Sequence, residues 1–236
     1  MKDIPHNLCK EISELSNGVC LLGFSRGKDS IAAWIILKKY FNRIIPFHVC
    51  SIPHLSFVDE SLKYYEEYFN TPIERFLSGE ITKALNFLWY QPIEDEGEID
   101  SLELWEYDNH NICDILRKKH DLPSVWCAYG INASDSIDRR IYVNKYKGKI
   151  ESRKSFYPCF DYKKTQILNI IKENNILLPK DYLISNRSLA GIPGIRHLEG
   201  IKEKFPNDFE KIKLWFPLIE VQIARNKFRE SNSLTI

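Results

Sequence analysis

The sequence has no feature typical of a membrane, secreted or strongly charged protein. No apolar run approaches the roughly 20 residues that cross a bilayer, and the first residues, Met-Lys-Asp-Ile-Pro, lack the apolar core of a signal peptide. The 33 basic and 32 acidic side chains give a formal net charge of +1, so no global field draws the chain to nucleic acid or to an anionic membrane. We therefore expect a cytoplasmic protein without a membrane partner, and any contact with nucleic acid must be local.

Paired cysteines are also absent. The six cysteines include no CxxC pair, and a chain of 236 residues is long enough to bury a sizeable core without disulfide bonds. This length fits one domain, or one domain with a small appendage. We predict mostly buried free thiols at Cys9, Cys20, Cys50, Cys113, Cys127 and Cys159.

Short apolar runs alternate with amphipathic stretches along the chain. The predicted strands are residues 19–24, 44–49, 73–76 and 124–129. The predicted helices are residues 31–40, 59–69, 79–90 and 109–120. Strands that alternate with helices indicate an α/β fold, namely a doubly wound, mostly parallel sheet with helices on both faces. Its binding loops should follow Phe24, Val49 and Tyr129 at the carboxyl ends of the strands.

Composition divides the chain into two parts. We predict a nucleotide-binding α/β domain over residues 1–162 and a helical C-terminal extension over residues 163–236, packed on that domain, because proline and glycine repeatedly interrupt helical stretches in the second part. The acidic residues 93–106 are predicted to form an exposed insertion. The basic residues 144–154 are predicted to form a surface hairpin or loop, either solvated or in local contact with a nucleic-acid backbone.

Residues 23–30, Gly-Phe-Ser-Arg-Gly-Lys-Asp-Ser, link the first predicted strand to a helix. Gly27 permits backbone conformations that other residues resist, and Ser25 and Ser30 add hydroxyl groups. The helix start supplies amide donors and the positive end of the helix dipole. Together these features predict an anion-binding loop. It is neither a Walker loop, GxxxxGKS/T, nor a dinucleotide fingerprint, GxGxxG, since neither pattern occurs in the chain.

Residues 25–30, Ser-Arg-Gly-Lys-Asp-Ser, resemble the SGGxDS signature of the PP-loop ATP pyrophosphatases, a family of the adenine nucleotide alpha hydrolase-like superfamily. The resemblance implies that the loop holds the β- and γ-phosphates of ATP, with Mg²⁺, and leaves the α-phosphate open to attack. The implied products are AMP and pyrophosphate, or an adenylylated intermediate. Arg26 stands where the family has its first glycine, so we expect the loop either to be reshaped or to turn Arg26 towards a phosphate.

Downstream segments resemble the phosphoadenosine phosphosulfate (PAPS) reductase branch of that family. Residues 48–53, His-Val-Cys-Ser-Ile-Pro, followed by Phe-Val-Asp-Glu at 57–60, are similar to the branch's second strand and the next helix start, which border the adenosine in relatives. Residues 130–136, Gly-Ile-Asn-Ala-Ser-Asp-Ser, with Arg139, are similar to a GxRxxES motif with a later arginine. The resemblance extends over about residues 18–182.

Several features of the reductase branch are missing. Asn132 stands in place of the motif's arginine, and Asp135 in place of its glutamate. No cysteine follows Cys159, so the C-terminal Glu-Cys-Gly-Leu-His-type tail that provides the reductases' thiol is absent, as are the paired cysteines that hold an iron–sulfur cluster in adenylylsulfate-reducing relatives. The pattern therefore favours adenylylating or sulfur-transferring relatives, including those that modify nucleic acids.

Two overlapping sets of site candidates follow. Asp29 either coordinates Mg²⁺ through water or orders the loop, and Lys28 either offsets phosphate charge or is solvated on the surface. The nucleotide-binding candidates are Ser25, Arg26, Gly27, Lys28, Asp29, Ser30, His48, Cys50 and Gly130. The catalytic candidates are Asp29, Lys28, Asp135 and Arg139, and the metal candidate is Asp29.

The remaining candidates also have competing structural roles. Arg139, or its neighbour Arg140, either clamps a phosphate or forms a surface ion pair. Asp135 either binds the substrate or metal or caps a helix. Cys50 and Cys159 either carry sulfur or are small buried residues. His48 either contacts adenine or substrate or is structural.

Three functions remain open at this stage. The first is an ATP-cleaving, adenylylating enzyme that activates an unknown acceptor, with sulfur transfer or nucleic-acid modification as its purpose. The second is a PAPS or adenylylsulfate reductase or sulfotransferase with an atypical thiol. The third is a non-catalytic nucleotide-sensing subunit of a defence or DNA-modification complex. The sequence leaves the oligomeric state and any protein partner open.

Overall fold

The fold is built on one mixed sheet. The structure, a computed structural model, describes residues 4–105, 108–133, 136–185, 188–189 and 195–233. The strands are β1 Val19–Gly23, β2 Arg43–Cys50, β3 Glu74–Leu77, β4 Trp126–Tyr129, β5 Lys149–Ile150 and β6 Ser155–Phe156. Their order is β3-β2-β1-β4-β6-β5. β1 pairs in parallel with β2 and β4, β4 pairs in parallel with β6, and β5 pairs antiparallel with β6. The predicted α/β fold with a mostly parallel sheet is confirmed.

Helices connect and follow these strands. In the described part of the chain they are α1 Ile4–Leu15, α2 Lys28–Leu37, α3 Ser56–Phe69, α4 Gly79–Asn86, α5 Glu96–Ser101, α6 Asn109–Lys119, α7 Ile137–Lys145, α8 Lys164–Glu173, α9 Tyr182–Ser185, α10 Ile195–Lys204, α11 Pro206–Trp215 and α12 Ile219–Ser233. Short 3₁₀ helices cover Ile93–Asp95 and Glu151–Arg153. Among the helices described, none combines the length and apolar character that crossing a membrane requires.

The direction in which the chain crosses the sheet reverses at β1. β2 and β3 lie on one side of β1, whereas β4 and the later strands lie on the other. Since parallel crossovers are right-handed, connections on the two sides cover opposite faces of the sheet. The ends of the two central strands are level, because Gly23 of β1 is paired with Tyr129 of β4. Folds of this kind bind ligands at such a switch point, beyond the carboxyl ends of the strands.

The chain forms two compact units. The first contains Met1–Val49, Ser61–Phe76 and Asn109–Pro179. The second contains Cys50–Glu60, Leu77–Asp108 and Lys180–Ile236. The boundary near residue 162 that composition suggested stays a prediction.

The core of the first unit holds α2 firmly behind the sheet. Every residue of α2 from Ser30 to Leu37 is buried. The Trp34 ring stacks on Phe69 with centroids 4.0 Å apart, and Phe24 meets Trp34 edge-on at 5.0 Å. Aromatic pairs in these geometries add about 0.5–1.5 kcal/mol each beyond the burial of their area. The start of α2 is therefore attached to a well-packed element.

In the second unit, a buried carboxylate completes the start of α3. Asp208 of α11 is 1% exposed and accepts hydrogen bonds from Ser56 N at 2.8 Å and Ser56 Oγ at 2.6 Å. It also accepts from Phe57 N at 3.3 Å and from Lys211 Nζ at 3.0 Å. Burial raises the pKa of Asp208, but these hydrogen bonds outweigh it and hold the pKa below its ordinary value of 3.8. The carboxylate therefore acts as an N-cap supplied by another helix.

Several local predictions need correction. The acidic segment, predicted as an exposed insertion, has mostly exposed acidic side chains, but it is helical at Ile93–Asp95 and α5, and Ile99 is buried. The predicted helix over 79–90 ends earlier, at Asn86. The basic residues 144–154 include β5 and the turn that leads to β6, so they form part of a hairpin as predicted, although Ile150 and β6 itself are buried. The N-terminal helix α1 was not predicted.

Candidate functional site

The turn between β1 and α2 is closed by serine hydroxyl groups. Ser25 Oγ donates to Ser30 Oγ at 3.2 Å, and Ser30 Oγ donates to the Gly27 carbonyl at 2.9 Å. Gly27 N in turn donates to Ser25 Oγ at 3.3 Å. Ser25 is exposed at the tip, whereas Ser30 is 2% exposed at the base. The two serines predicted to line an anion-binding loop thus lie together and fix its shape.

Gly27 occupies the N-cap position of α2. Its backbone is extended, with φ −72° and ψ 157°, and no side chain caps the helix there. The first helical hydrogen bond runs from Ile31 N to the Gly27 carbonyl at 3.0 Å. Amides in the first turn of a helix have no acceptor within that helix, and the helix dipole is positive at this end. The turn can therefore receive an anion by backbone donors.

Gly130, directly after β4, approaches the start of α2 more closely than any other residue type could. A Cβ atom on Gly130 would lie 2.4 Å from Ser30 N and 2.6 Å from both Asp29 C and Ser30 Cα. Real Cβ atoms essentially never come under 3.0 Å of a backbone atom, so any side chain here would push the helix start away. The structure thus brings together two of the segments that the sequence predicted as binding loops.

Arg26 takes neither of the two arrangements expected from the sequence. Its backbone has φ +64°, in the left-handed region, which costs an L-residue roughly 1–2 kcal/mol. Its side chain is 0% exposed, and Nη1 donates to Ser61 Oγ of α3 at 3.0 Å. The loop therefore keeps a glycine-like backbone while the guanidinium anchors it in the interior.

His48 braces the same loop from β2. It is 2% exposed, and Nδ1–H donates to the Phe24 carbonyl at 2.8 Å. Burial lowers the pKa of His48 to about 3, with the Arg26 charge as the second cause and Arg75 contributing less. The imidazole is neutral at physiological pH. Its observed contact is thus structural, and a contact with adenine stays a prediction.

Lys28 and Asp29 form an ion pair beside this turn. Lys28 Nζ lies 2.5 Å from Asp29 Oδ2, and their side chains are 19% and 15% exposed. In the described part of the chain, no group of three or more His, Cys, Asp or Glu side chains is arranged to hold a metal ion. Mg²⁺ takes most of its ligands from phosphate oxygens and water in nucleotide sites. A water-mediated role for Asp29 is compatible with this arrangement but is not tested by it.

On the β4 side, Asn132 has a structural role that sequence reasoning missed. It is 1% exposed, and Nδ2 donates to the carbonyls of Cys159 at 3.1 Å and Tyr162 at 2.7 Å. Ala133 N also donates to the Phe160 carbonyl at 3.0 Å. An amide at the position where the GxRxxES motif has arginine thus ties the exit of β4 to residues 159–162, the segment that follows β6. In the sequence, the only indication of this role was that Asn132 stands where the GxRxxES motif has arginine.

The catalytic candidates beyond β4 are placed only in part. Arg139 lies in the first turn of α7, where its backbone N donates to Ser136 Oγ at 3.1 Å, and it is exposed. Arg140 is exposed too, and its Nε donates to the Ala133 carbonyl at 3.4 Å. Asp135 lies outside the described residues. Phosphate clamping by either arginine stays a prediction.

The cysteines are free thiols, and all but Cys50 are buried, which confirms the prediction. Cys159 is close to the site, since its Sγ donates to the Asp29 carbonyl at 3.7 Å. Burial raises the pKa of the Cys159 thiol well above its ordinary value, and the Asp29 charge adds to this. Cys50 is the last residue of β2 and is partly exposed. A buried thiol with a raised pKa is a poor nucleophile, so of these two only Cys50 is accessible for sulfur chemistry.

Fold and site together define a doubly wound α/β protein whose first loop, at the switch point, ends in a helix start packed against the glycine that follows β4. No family model matches the chain, and no curated protein matches its sequence. The solved structures that are similar to it include the following two. U34-tRNA thiolase NcsA from Methanococcus maripaludis, with its 4Fe-4S cluster, gives a TM-score of 0.44 at 14% identity over 92% of this chain and 78% of that chain. NH3-dependent NAD synthetase from Campylobacter jejuni, in complex with nitrate, gives 0.47 at 16% identity over 97% and 96%.

Proposed function

We propose that this chain is a PP-loop enzyme that binds ATP at the start of α2 and cleaves it between the α- and β-phosphates, so that an acceptor becomes adenylylated. The observation that carries the proposal is the approach of Gly130 to Ser30 N at the switch point, a distance that only a glycine allows. It packs the exit of β4 against the backbone of the helix start. The serine hydroxyls complete this site for a polyphosphate.

In this proposal the backbone of residues 25–30 holds the β- and γ-phosphates. Arg26 contributes its amide and its anchoring side chain rather than a guanidinium contact, since that group is buried against Ser61. Lys28 offsets phosphate charge once it exchanges Asp29 for the ligand. Arg139, exposed in the first turn of α7, and Asp135 are assigned to the α-phosphate or the acceptor because of their place in the β4 motif.

ATP supplies a phosphoanhydride bond whose cleavage drives the transfer, and Mg²⁺ offsets the charge of the phosphates when bound. The chain's own contribution is to position the phosphates by fixed donors, since such transition states are stabilised chiefly by placement and charge. We propose further that the protein acts in the cytoplasm and belongs to the PAPS reductase-like branch, with the α/β domain at residues 1–162 as its nucleotide-binding part. The burial of Cys159 disfavours a reductase that uses this thiol.

Product analysis tests the proposal directly. ATP labelled at the α-phosphate is incubated with the full chain, Mg²⁺ and pools of acceptors, and the products are separated. AMP and pyrophosphate, or label on an acceptor, are expected. ADP as the product would reject cleavage at the α-phosphate.

Calorimetry with ATP and with PAPS separates the other two functions. Preference for ATP is expected, whereas strong preference for the 3′-phosphorylated nucleotide would favour the reductase or sulfotransferase. Tight ATP binding without turnover by any acceptor pool would favour a nucleotide-sensing subunit.

A further inference from the structure

A cavity within the second unit lies outside the proposed ATP site. Its volume is about 480 Å³, within the range of roughly 300–1,000 Å³ typical of small-ligand pockets. It lies between the chain segment that follows α4 and one face of α12. Two hydrogen bonds hold these walls together: Leu218 N donates to the Tyr90 carbonyl at 2.9 Å, and Gln91 Nε2 donates to the Trp215 carbonyl at 2.6 Å. We call this cavity the α4–α12 pocket.

The first wall is an unusual backbone that presents an aromatic ring. Leu88 and Tyr90 both have left-handed backbones, with φ +52° and +59°, although neither is a glycine. Such strain costs of the order of 1–3 kcal/mol per residue and is concentrated at ligand sites. Trp89, between them, lines the pocket and is 53% exposed. By contrast, Trp34 in the first unit is 1% exposed. The strained turn keeps a large flat ring out of the core.

The second wall supplies positive charge and a hydrogen-bonding amide. Val221, Gln222 and Arg225 line the pocket at positions i, i+1 and i+4 of α12, which places them along one side of the helix. Arg225 is exposed, and within the described residues its guanidinium has no ion-pair or hydrogen-bond partner. Glu220, at the start of this helix, is already paired, with Lys202 at 2.5 Å and with Lys213 at 3.4 Å. The pocket wall thus carries one uncompensated cation.

The same arrangement of ring and cation continues along α12. Phe228 and Arg229 follow Arg225 by three and four residues, and both are exposed, Phe228 by 68%. Residues with this spacing are neighbours on one helix face. A flat ring beside a guanidinium, repeated one turn further on, is how proteins bind single-stranded nucleic acid, with bases stacked on the rings and phosphates held by the cations.

We propose that the α4–α12 pocket binds a nucleotide, with its base stacked on Trp89, its polar edge at Gln222 and its phosphate at Arg225. The ligand is either a free nucleotide or one residue of a single strand that continues over Phe228 and Arg229. This site is independent of the ATP site in the first unit. If both exist, the second unit selects the acceptor that the first unit activates.

Fluorescence anisotropy of a labelled short oligouridylate with the full chain tests the proposal, because a uracil probe avoids the adenine site. Binding is expected, and Trp89→Leu should weaken it about tenfold through the loss of one stacked base. Arg225→Gln should weaken it too and reduce the slope of log K against log salt by about 0.7, as expected for one phosphate contact on a single strand. Trp105→Leu removes a similarly exposed tryptophan outside the pocket, 63% exposed, and should leave binding unchanged.

Competition with unlabelled UMP distinguishes the two sources. If UMP displaces the labelled probe at a concentration similar to that of unlabelled oligonucleotide, expressed per nucleotide, the ligand is a free nucleotide. If only the oligonucleotide displaces the probe, the ligand is a strand. The proposal is overturned if neither probe binds, or if Trp89→Leu and Arg225→Gln bind as the unchanged chain does while circular dichroism shows both folded. Gly130→Ala alters the ATP site and not the α4–α12 pocket, so the folded variant should retain oligouridylate binding, and a failure of one site is not mistaken for a failure of the other.

Discussion

Helices α2 and α3 both begin after neighbouring parallel strands of one sheet, yet their first turns are completed differently. α3 has a carboxylate of the protein at its start, because Asp208 accepts from the backbone of Ser56 and Phe57. α2 has Gly27 at its N-cap without a side-chain cap, and Gly130 packs closely against its first turn. A helix start that already holds an internal anion has no need of an external one. Of these two helix starts, α2 is therefore the one that we propose to receive a ligand.

The largest expected effect comes from adding a side chain at Gly130, where the residue after β4 packs against the start of α2. Gly130→Ala places a Cβ atom 2.4 Å from Ser30 N, so the helix start must shift. We expect ATP turnover to fall roughly 100-fold, because a misplacement of about 1 Å is enough for such a loss. Stability should fall by about 1–3 kcal/mol from overpacking. Turnover assays and urea unfolding measure the two effects.

Gly97→Ala is the matched control for that substitution. A Cβ atom on Gly97, in α5, would have no atom within 4 Å. This variant should keep full turnover and gain up to about 1 kcal/mol of helix stability. Equal turnover of the Gly130 and Gly97 variants would show that the close approach has no functional role.

The next largest effect tests the start of α3. Asp208→Asn replaces a charged acceptor by an amide that cannot accept from Ser56 and Phe57 with both atoms. We expect a loss of about 2 kcal/mol at pH 7 without a change in ATP affinity. Urea unfolding at several pH values and calorimetry with ATP provide the measurements. Asp100→Asn, at an exposed position on α5, serves as the control and should be neutral.

The pH dependence of this effect has a definite sign. Because the pKa of Asp208 is lower in the folded state than its ordinary value of 3.8, the unfolded chain binds more protons near that pH. The stabilisation is thus complete above this range and is lost as the pH falls through it. The difference between the unchanged chain and Asp208→Asn should therefore shrink below about pH 4. A difference that grows in acid would contradict the assignment.

The smallest effect compares two buried serines at helix starts. Ser30→Ala removes the hydroxyl that links Ser25 to the Gly27 carbonyl, and should weaken ATP binding about tenfold while it lowers stability by about 1 kcal/mol. Ser78→Ala removes the cap of α4, where Oγ accepts from Glu80 N at 3.2 Å. It should cost about the same stability but leave ATP affinity unchanged. If calorimetry finds the same loss of ATP affinity in both variants, Ser30 has no specific role in ATP binding.

The sequence predicted the loop and its surrounding strands because both depend on local composition: an apolar run, then glycine and serine, then helical periodicity. It did not predict how Arg26 is used, since a charged loop residue is usually exposed and its partner Ser61 lies 35 residues away. The hydrogen bonds of Asn132 could not be predicted for the same reason, because its acceptors are 27 and 30 residues away in the sequence. The end of α4 was missed because Leu88 and Tyr90 take left-handed backbones without the glycine that announces such turns. Tertiary contacts decided the first two cases.

The burial of Arg26 makes the loop dependent on distant parts of the chain. One end is fixed by His48 through the Phe24 carbonyl, and the middle is fixed by Ser61 through Arg26. An isolated peptide of residues 23–30 would lack these contacts, so nothing in it would stabilise the left-handed backbone of Arg26. Transplanting the motif into another scaffold therefore requires the transfer of β2 and α3 as well, and any event that loosens α3 would relax the loop at the same moment.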